Sequence, residues 1–354
     1  MNSLYINAAG TTLNSFMAYD WWLSPLRIKW ESGVSIECGG NKIVFDPQSK
    51  IINSKASFVT HAHADHSYSF RLRHMPVFSS EETMRLVSVE GVRASRWQPL
   101  AINRGVKIDD IEVVPHVSGH ILGSYEFEVR TPEGVALFTG DLNTRERRLI
   151  EPAEAVRCDV LIIEATYGSP EFIFPPDDVI TEEMTKWASK ILSENKIPVF
   201  QADAIGNAQE IIRIFNENTS VPIISHWRVS RVNEVYGYYG RKVEYIDINS
   251  EEASKLLSSA NAIIVAPKML SLSLNNRFIQ AMVSGWAVKF RRQSFPLSDH
   301  ADFPSLLDFI RNCSPKLVLT YHGGVHNEIL AKYIEKKMGV RSYPIDLIST
   351  NFTT

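Results

Sequence analysis

Six consecutive residues, His61-Ala62-His63-Ala64-Asp65-His66, hold three imidazoles and a carboxylate. In an extended segment side chains alternate sides, so His61, His63 and Asp65 share one side. His66 breaks that alternation, as it does where a chain curls into a helical turn. Such a group is poor core material and a strong set of ligands for a divalent metal. The protein has ten histidines in 354 residues, so three within six positions stand well above background. One cluster does not complete a hydrolytic centre, and three further stretches offer donors. Val117-Ser118-Gly119-His120 sets an imidazole beside a glycine whose backbone bend can aim it inward. Leu137-Phe138-Thr139-Gly140-Asp141 reads as a strand that stops at a carboxylate, and Val318-Leu319-Thr320-Tyr321-His322-Gly323 as one that stops at a histidine. Taken singly, each reads more readily as a turn aspartate or a core histidine than as a ligand. Together with the cluster they supply the ligands of two metals sharing Asp141. Ions paired about 3.5–4 Å apart in this way activate a water for in-line displacement.

The elements that must position these residues change texture along the chain. Arg27–Trp30 and Val34–Cys38 read as strands, and Gly39-Gly40-Asn41 as a hairpin turn before a strand from Lys42 that ends at Asp46-Pro47. Lys55–Thr60 reads as a short strand running into the cluster, and Ser80–Val89 as a helix. Val106–Pro115, Tyr125–Thr131 and Val135–Thr139 are candidate strands, with Pro132-Glu133-Gly134 as a turn. Cys158–Glu164 is an apolar run of the kind covered on both faces. Past Gly168 a proline-rich joint leads to a helix over about 177–195. Strands and helices then alternate: Ile197–Gln201, Ala204–Asn216, Val221–Ser225, Val229–Tyr238, Val243–Ile246, Glu251–Ser259, Ala262–Ala266 and a helix over Leu274–Val283. That alternation predicts βαβ units and a parallel sheet. The last stretch predicts a helix at Leu306–Arg311, a strand at Lys316–Thr320 and a helix at Asn327–Lys337.

Composition sets outer limits. Hydrophobic residues make up 44% and charged residues 22%, ordinary for a globular protein. Lys+Arg 37 against Asp+Glu 40 gives a formal charge of −3, which excludes holding nucleic acid by bulk charge and leaves local basic patches open. Cys38, Cys158 and Cys313 form no CxxC pair, so a reducing compartment with free thiols is expected and a cysteine zinc site is not. No stretch approaches the roughly 18 apolar residues of a membrane span, and the N-terminus lacks a signal-like pattern. The expectation is a cytoplasmic enzyme without a membrane partner.

The ordered motifs resemble the metallo-β-lactamase fold, with its first motif at Asp46, its second at His61–His66, its third at His120 and its fourth at Asp141. More narrowly the chain resembles the β-CASP nucleases. It has a strand ending in an acidic residue, Ile162-Ile163-Glu164, then an inserted block, then Ser298-Asp299-His300-Ala301-Asp302 and a last histidine at His322-Gly323. Gly206-Asn207-Ala208-Gln209-Glu210 is similar to the family's Gly-x-x-Gln-Glu helix start, with Asn207 where an arginine is frequent. The stretch from Val283 to Asp302 is most similar to small ligase-associated exonucleases, and the whole also resembles mRNA 3′-end processing factors. The resemblance implies an α/β fold, an αββα metallo-β-lactamase sandwich formed by residues 1–168 and 291–354. An inserted α/β β-CASP cap of parallel-sheet type would occupy 169–290.

Carried across residue by residue, one ion would take His61, His63, His120 and bridging Asp141, and the other Asp65, His66, Asp141 and His322. Asp46 would orient ligands by hydrogen bonds. His300 would be the general acid and Glu164 would hold it, with Asp65 counted beside them in catalysis. Two divalent ions are implied, with zinc favoured by the imidazoles and manganese left open by the carboxylates. The activity implied is hydrolysis of nucleic-acid phosphodiesters, as an exonuclease with DNA ends favoured. RNA 3′-end processing is the alternative. A small-molecule metallo-hydrolase on the same fold is a further one, and it would need neither cap, Glu164 nor His300. The residues alone also allow His300 as a neighbour of a helix cap, because Ser-Asp before an apolar helix is capping chemistry. His326 competes with His322 but lacks the strand-end setting. Lys289, Arg291 and Arg292 before His300, and Arg145, Arg147 and Arg148 after Asp141, are expected at the cleft rim against phosphates. Trp286 and Phe290 read as base-stacking or as packing at a domain joint.

Overall fold

The computed structural model describes residues 26–268, 276–290 and 292–347. β1 (Arg27–Trp30), β2 (Val34–Cys38) and β3 (Asn41–Phe45) form an antiparallel meander. Gly39 and Gly40 have φ of 56° and 79°, the backbone of a tight primed turn. β4 (Ala56–Phe58), β5 (Val77–Ser79) and β6 (Trp97–Pro99) continue the sheet in parallel to β3. Between β5 and β6 runs α1 (Glu81–Val89), opened by Ser80, whose hydroxyl accepts from the Thr83 amide.

A second sheet begins with β7 (Val106–Ile108), β8 (Ile111–Val117), β9 (Tyr125–Thr131) and β10 (Gly134–Phe138), all antiparallel. The single strand expected over Val106–Pro115 is two strands. The chain turns at Asp109, whose φ of 52° a short polar side chain tolerates. β11 (Val160–Glu164) then joins β10 in parallel.

The chain next leaves the sandwich through α2 (Asp177–Ser193), β12 (Ile197–Ala202), α3 (Asn207–Asn218), β13 (Ile223–Ser225), α4 (Trp227–Tyr238), β14 (Ile246–Asp247) and α5 (Glu251–Ser258). It continues with β15 (Ile263–Pro267), β16 (Phe278–Val283) and β17 (Ser294–Phe295). These six strands lie in the order β14-β13-β15-β12-β16-β17, each pair parallel. The helix expected over Leu274–Val283 is therefore a strand from Phe278 onward, while residues 274 and 275 lie outside the described residues. Its β-branched and aromatic side chains pair with β12 from Ile197↔Phe278 to Gln201↔Met282, a setting that overrides helical spacing.

The return uses α6 (Phe303–Cys313), β18 (Leu317–Tyr321), α7 (Val325–Tyr333) and β19 (Arg341–Pro344). β18 enters the second sheet between β11 and β19, parallel to both. Two facing sheets bury Ile36, Phe45, Phe58 and Phe78 of the first against Val113, Phe127, Phe138 and Ile162 of the second. Helices α6 and α7 cover the second sheet's outer face with Leu306, Phe309, Ile310 and Leu330. On the first sheet's outer face, Leu86 and Val87 of α1 pack with Val59, Phe70 and Val77. The result is an αββα sandwich carrying an inserted parallel α/β cap. Among the described residues no helix is long and apolar enough to cross a membrane.

Alternation along β9 sends Phe127 and Val129 into the inter-sheet core and Glu126 to the opposite face, where it is fully buried. Neither of its carboxylate oxygens has a hydrogen-bond partner. Burial, aided by Cys313 and Glu128, raises its pKa well above that of a free glutamate. The folded state thus holds the proton more tightly than the unfolded state. The stability this gives is complete below the unfolded pKa, about 4.3, and is lost as pH rises through the folded value. Glu126→Gln should therefore be more stable than the parent in mildly alkaline buffer, by about 1–3 kcal/mol. The gap should close toward acid, as read by urea denaturation across a pH series.

Candidate active site

The strands that carry functional side chains end on one edge, the carboxyl ends of parallel pairs β3–β4 and β10–β11–β18. β3 delivers Asp46, β4 runs through Val59-Thr60 into His61, and β10 stops before Gly140-Asp141. β11 ends in Glu164 and β18 leads into His322. The loop between β8 and β9 brings His120. Two glycines let these loops stack: a Cβ on Gly140 would lie 2.6 Å from Thr60, and one on Gly119 only 2.0 Å from the Asn143 carbonyl. Both have positive φ.

The donor atoms converge. One ligand atom from each of His61, His63, His120 and Asp141 lies within 4.8 Å of the others, and the same holds for Asp65, His66 and His322. Asp141 Oδ2 lies 3.5 Å from His61 Nε2, 3.5 Å from His66 Nε2 and 3.7 Å from His120 Nε2. His322 Nε2 and His66 Nε2 are 3.5 and 3.6 Å from Asp65 Oδ2. The outer ring nitrogens of four of these histidines are already engaged. His61 Nδ1 meets the Thr60 hydroxyl at 2.9 Å, His63 Nε2 the Ile205 carbonyl at 3.2 Å, His66 Nδ1 the Asp46 carboxylate at 2.8 Å and His120 Nδ1 the Asp299 carbonyl at 3.0 Å. Each inner nitrogen is left facing the cluster, the pattern of oriented metal ligands. His66 Nε2 and Asp141 Oδ1 are buried without a hydrogen-bond partner, a costly state for polar atoms unless a cation completes them. The site fits two divalent ions, and its imidazoles fit zinc.

The electrostatics agree with that use. Burial, reinforced by neighbouring imidazoles, holds His61 and His120 well below the ordinary histidine pKa, which keeps them neutral and able to ligate. Against its own burial, Asp141 is held well below the usual carboxylate range by His66, His322, His300 and His61. His66 is also buried, yet Asp141 and Asp46 push it up to about 10.

A separate pair adjoins the cluster. His300 Nδ1 lies 2.9 and 3.0 Å from the two Glu164 oxygens, and its Nε2 is 3.9 Å from Asp141 Oδ2. Glu164 also accepts from the amides of Leu142 at 2.8 Å and Thr166 at 3.3 Å. Its lone pairs are thereby directed at N–H groups, although Asp141, Glu164 and His300 are close enough to form a third donor set. Partial burial of His300 works against its charge, but Glu164 and Asp141 raise its pKa to about 9. Asp302, not His300, caps α6, through the Ser305 amide. His326 is absent from the cluster: its Nδ1 meets the Thr166 carbonyl at 3.0 Å.

The arginines after Asp141 correct an expectation. Arg145 donates to the Phe174 and Pro175 carbonyls and pairs with Asp302, so it braces the joint with its charge already met by a carboxylate. Arg148 pairs with Glu210 and Glu217. Arg147 is buried, donates to the Ser298 carbonyl and lies 3.6 Å from Glu210 and 3.8 Å from Asp299. This strap, which spacing alone did not show, ties the α3 start to the His300 segment. Its sequence signal is the pair of acids, Glu210 and Asp299, inside recognised motifs. Lys289 is exposed and pairs with Glu171, Arg292 lies over the Phe290 ring, and Arg291 lies outside the described residues.

Comparison with known proteins agrees with this architecture. A family profile described as "Zn-dependent metallo-hydrolase RNA specificity domain" matches residues 285–344. A protein named probable DNA ligase, from Opitutus terrae, is 28% identical over 82% of this chain and 30% of its own length. The RNase aCSPSF2 of Saccharolobus solfataricus is 25% identical over 70% of the chain and 60% of its own length. Transcription termination factor FttA of Methanococcus maripaludis is 26% identical over 59% and 41%. The chain thus spans less than two thirds of each of these relatives. A crystal structure of a protein of unknown function from Enterococcus faecalis superposes with a TM-score of 0.62 at 13% identity, over 86% of this chain and 95% of that one. The fold is that of the metallo-β-lactamase sandwich, and the profile and these relatives support a resemblance to the β-CASP metallo-hydrolases.

Asp46 accepts from the Thr60 amide at 2.8 Å and from its hydroxyl while holding His66. Asp46→Asn should keep the fold and weaken metal binding by about 10–100-fold, as read by competition with a metal chelator.

Proposed function

We propose that the protein is a two-metal nuclease that hydrolyses phosphodiester bonds of nucleic acid, acting on DNA ends in a cytoplasmic setting. The observation that carries this reading is the His300–Glu164 pair beside the metal cluster. Binding metal does not require it, and it supplies the proton that a departing oxygen needs. The ions, when bound, would supply Lewis acidity and a water of lowered pKa. His61, His63 and His120 would hold one with Asp141, and Asp65, His66 and His322 the other with the same carboxylate. Glu164 fixes the His300 ring through Nδ1 and favours its charged form, leaving Nε2 turned toward the cluster as the donor to the leaving group. The cap brings Ile205 and the return segment brings Asp299 against these ligands, so a substrate would enter between two lobes.

Support for DNA comes from the extent of the similarity to the ligase-named relative, 82% of the chain against 59% and 70% for the two RNA-linked relatives. RNA processing is the second reading, favoured by the RNA specificity profile over 285–344. The three buried free thiols, Cys38, Cys158 and Cys313, support a reducing compartment. Labelled single- and double-stranded DNA and RNA, incubated with zinc- or manganese-loaded protein and resolved on a sequencing gel, test polymer, polarity and mode together. Absence of cleavage on every substrate would sink the nuclease reading. His300→Ala should retain both metals and lose about 10²–10⁴-fold in turnover. Loss of metal from that variant would reassign His300 as a ligand.

A further inference from the structure

One stretch beside the site exposes apolar and cationic side chains together. Between β16 and β17, Gly285–Lys289 forms a short 3-10 turn. Its backbone is fixed from beneath. A Cβ on Gly285 would lie 2.5 Å from the Tyr167 ring, Ala287 is buried, and the Ser284 amide donates to the Phe295 carbonyl at 3.1 Å. From this fixed turn Trp286, Val288 and Phe290 stand into solvent, 37%, 38% and 39% exposed. Three large apolar groups within five residues are more than scattered surface apolarity, and such a patch marks a binding surface.

The position of the patch narrows what binds. Trp286 stacks on His326, with ring centroids 5.7 Å apart and planes 27° apart. It also meets Tyr167 at 5.2 Å, and Tyr167 meets the His300 ring edge-on at 5.9 Å. The indole is thus two ring contacts from the proton donor. His326 in turn lies one turn of chain beyond His322. Cations border the same strip: Lys289 Nζ sits 4.3 Å from the Phe172 ring centre, and the Arg292 guanidinium 5.1 Å from that of Phe290. Arg292 has no carboxylate partner among the described residues. Aromatic faces interleaved with cations suit a single strand, whose bases are open to stacking and whose backbone is anionic. A protein partner would use the apolar groups but gains nothing from their closeness to His300.

Building on the nuclease reading, we propose that Trp286 is a stacking platform for an unpaired nucleobase next to the scissile phosphodiester, extended along the strand by Phe290 and Arg292. The test compares the parent protein, Trp286→Ala and Trp286→Phe on a labelled single-stranded oligonucleotide. The substrates are intact or carry one abasic site at successive positions near the cleaved bond. Trp286→Ala should raise KM about tenfold, with metal content unchanged and Trp286→Phe recovering most of the loss. An abasic site at the stacked position should impose the same loss on the parent and none further on Trp286→Ala. An equal loss on intact and abasic strands, or no loss at all, overturns the platform and leaves the patch to packing or to a protein partner. Trp286→Leu keeps apolar bulk against Phe172 without a stacking face and carries the same comparison if the alanine variant does not fold. If the metal-loaded parent cleaves nothing, the nuclease reading fails on its own. Binding of the same strands, read by fluorescence anisotropy, then decides: affinity independent of Trp286 rejects the platform, and affinity that depends on it and on the base at one position retains it.

Discussion

One buried negative charge organises the catalytic edge. The Asp141 carboxylate is 2% exposed, and a carboxylate removed from water is tolerated only where counter-charges and hydrogen bonds replace the solvent. The neighbouring histidines provide that replacement, and their arrangement depends on Asp141 in return. His61, His66, His120 and His300 all turn an Nε2 toward the same oxygen. None of these rings comes from the strand that delivers Asp141. The parallel β10–β11–β18 ladder on one sheet and β3–β4 on the other must therefore end at one level for the charge to be met. The phenylalanine-rich layer between the sheets sets that level. Phe45, Phe58, Phe127 and Phe138 interlock at centroid distances of 5.1 to 5.5 Å.

The cap is held to this edge by charge as well as by apolar packing. Of the arginines just after Asp141, Arg145 reaches the joint and the return segment, Arg147 the return segment and α3, and Arg148 α3. Asp299, caught between burial and Arg147, has a pKa raised to about 7. Its other oxygen accepts from the Asn207 amide at 2.9 Å, where the helix N-terminus favours negative charge. Gly206 permits this approach, because a Cβ there would lie 2.5 Å from Asp299 and 2.6 Å from Ile121.

Much of the site was legible in the sequence because metal ligation writes itself locally. His61 to His66 lie within one loop, and Asp141 and His322 each follow an apolar strand at a glycine-containing break. Glu164 and His300 were legible only through the order of motifs, since their contact joins residues far apart in the chain. The arginine strap was misread for a physical reason. An arginine shows its charge in the sequence but not whether a carboxylate from a distant segment has claimed it, and Asp302 and Glu210 had done so. Short strands such as β5, β6 and β17 are too brief to show a period, and exist because a neighbouring strand offers its edge. The place of β16 in an alternating series predicts a helix, while its own composition and its pairing with β12 make it a strand.

The hydrogen bond from His63 to the Ile205 carbonyl has a consequence for motion. That carbonyl belongs to the cap, and it fixes which His63 nitrogen faces the donor cluster. The Asp299 carbonyl does the same for His120 from the return segment. Lifting the cap would free the His63 ring to rotate and change tautomer, so seating of the cap and grip on the metal share one free energy. Such coupling is reciprocal: contacts that seat the cap would favour binding of the ions, and bound ions would favour the seated cap.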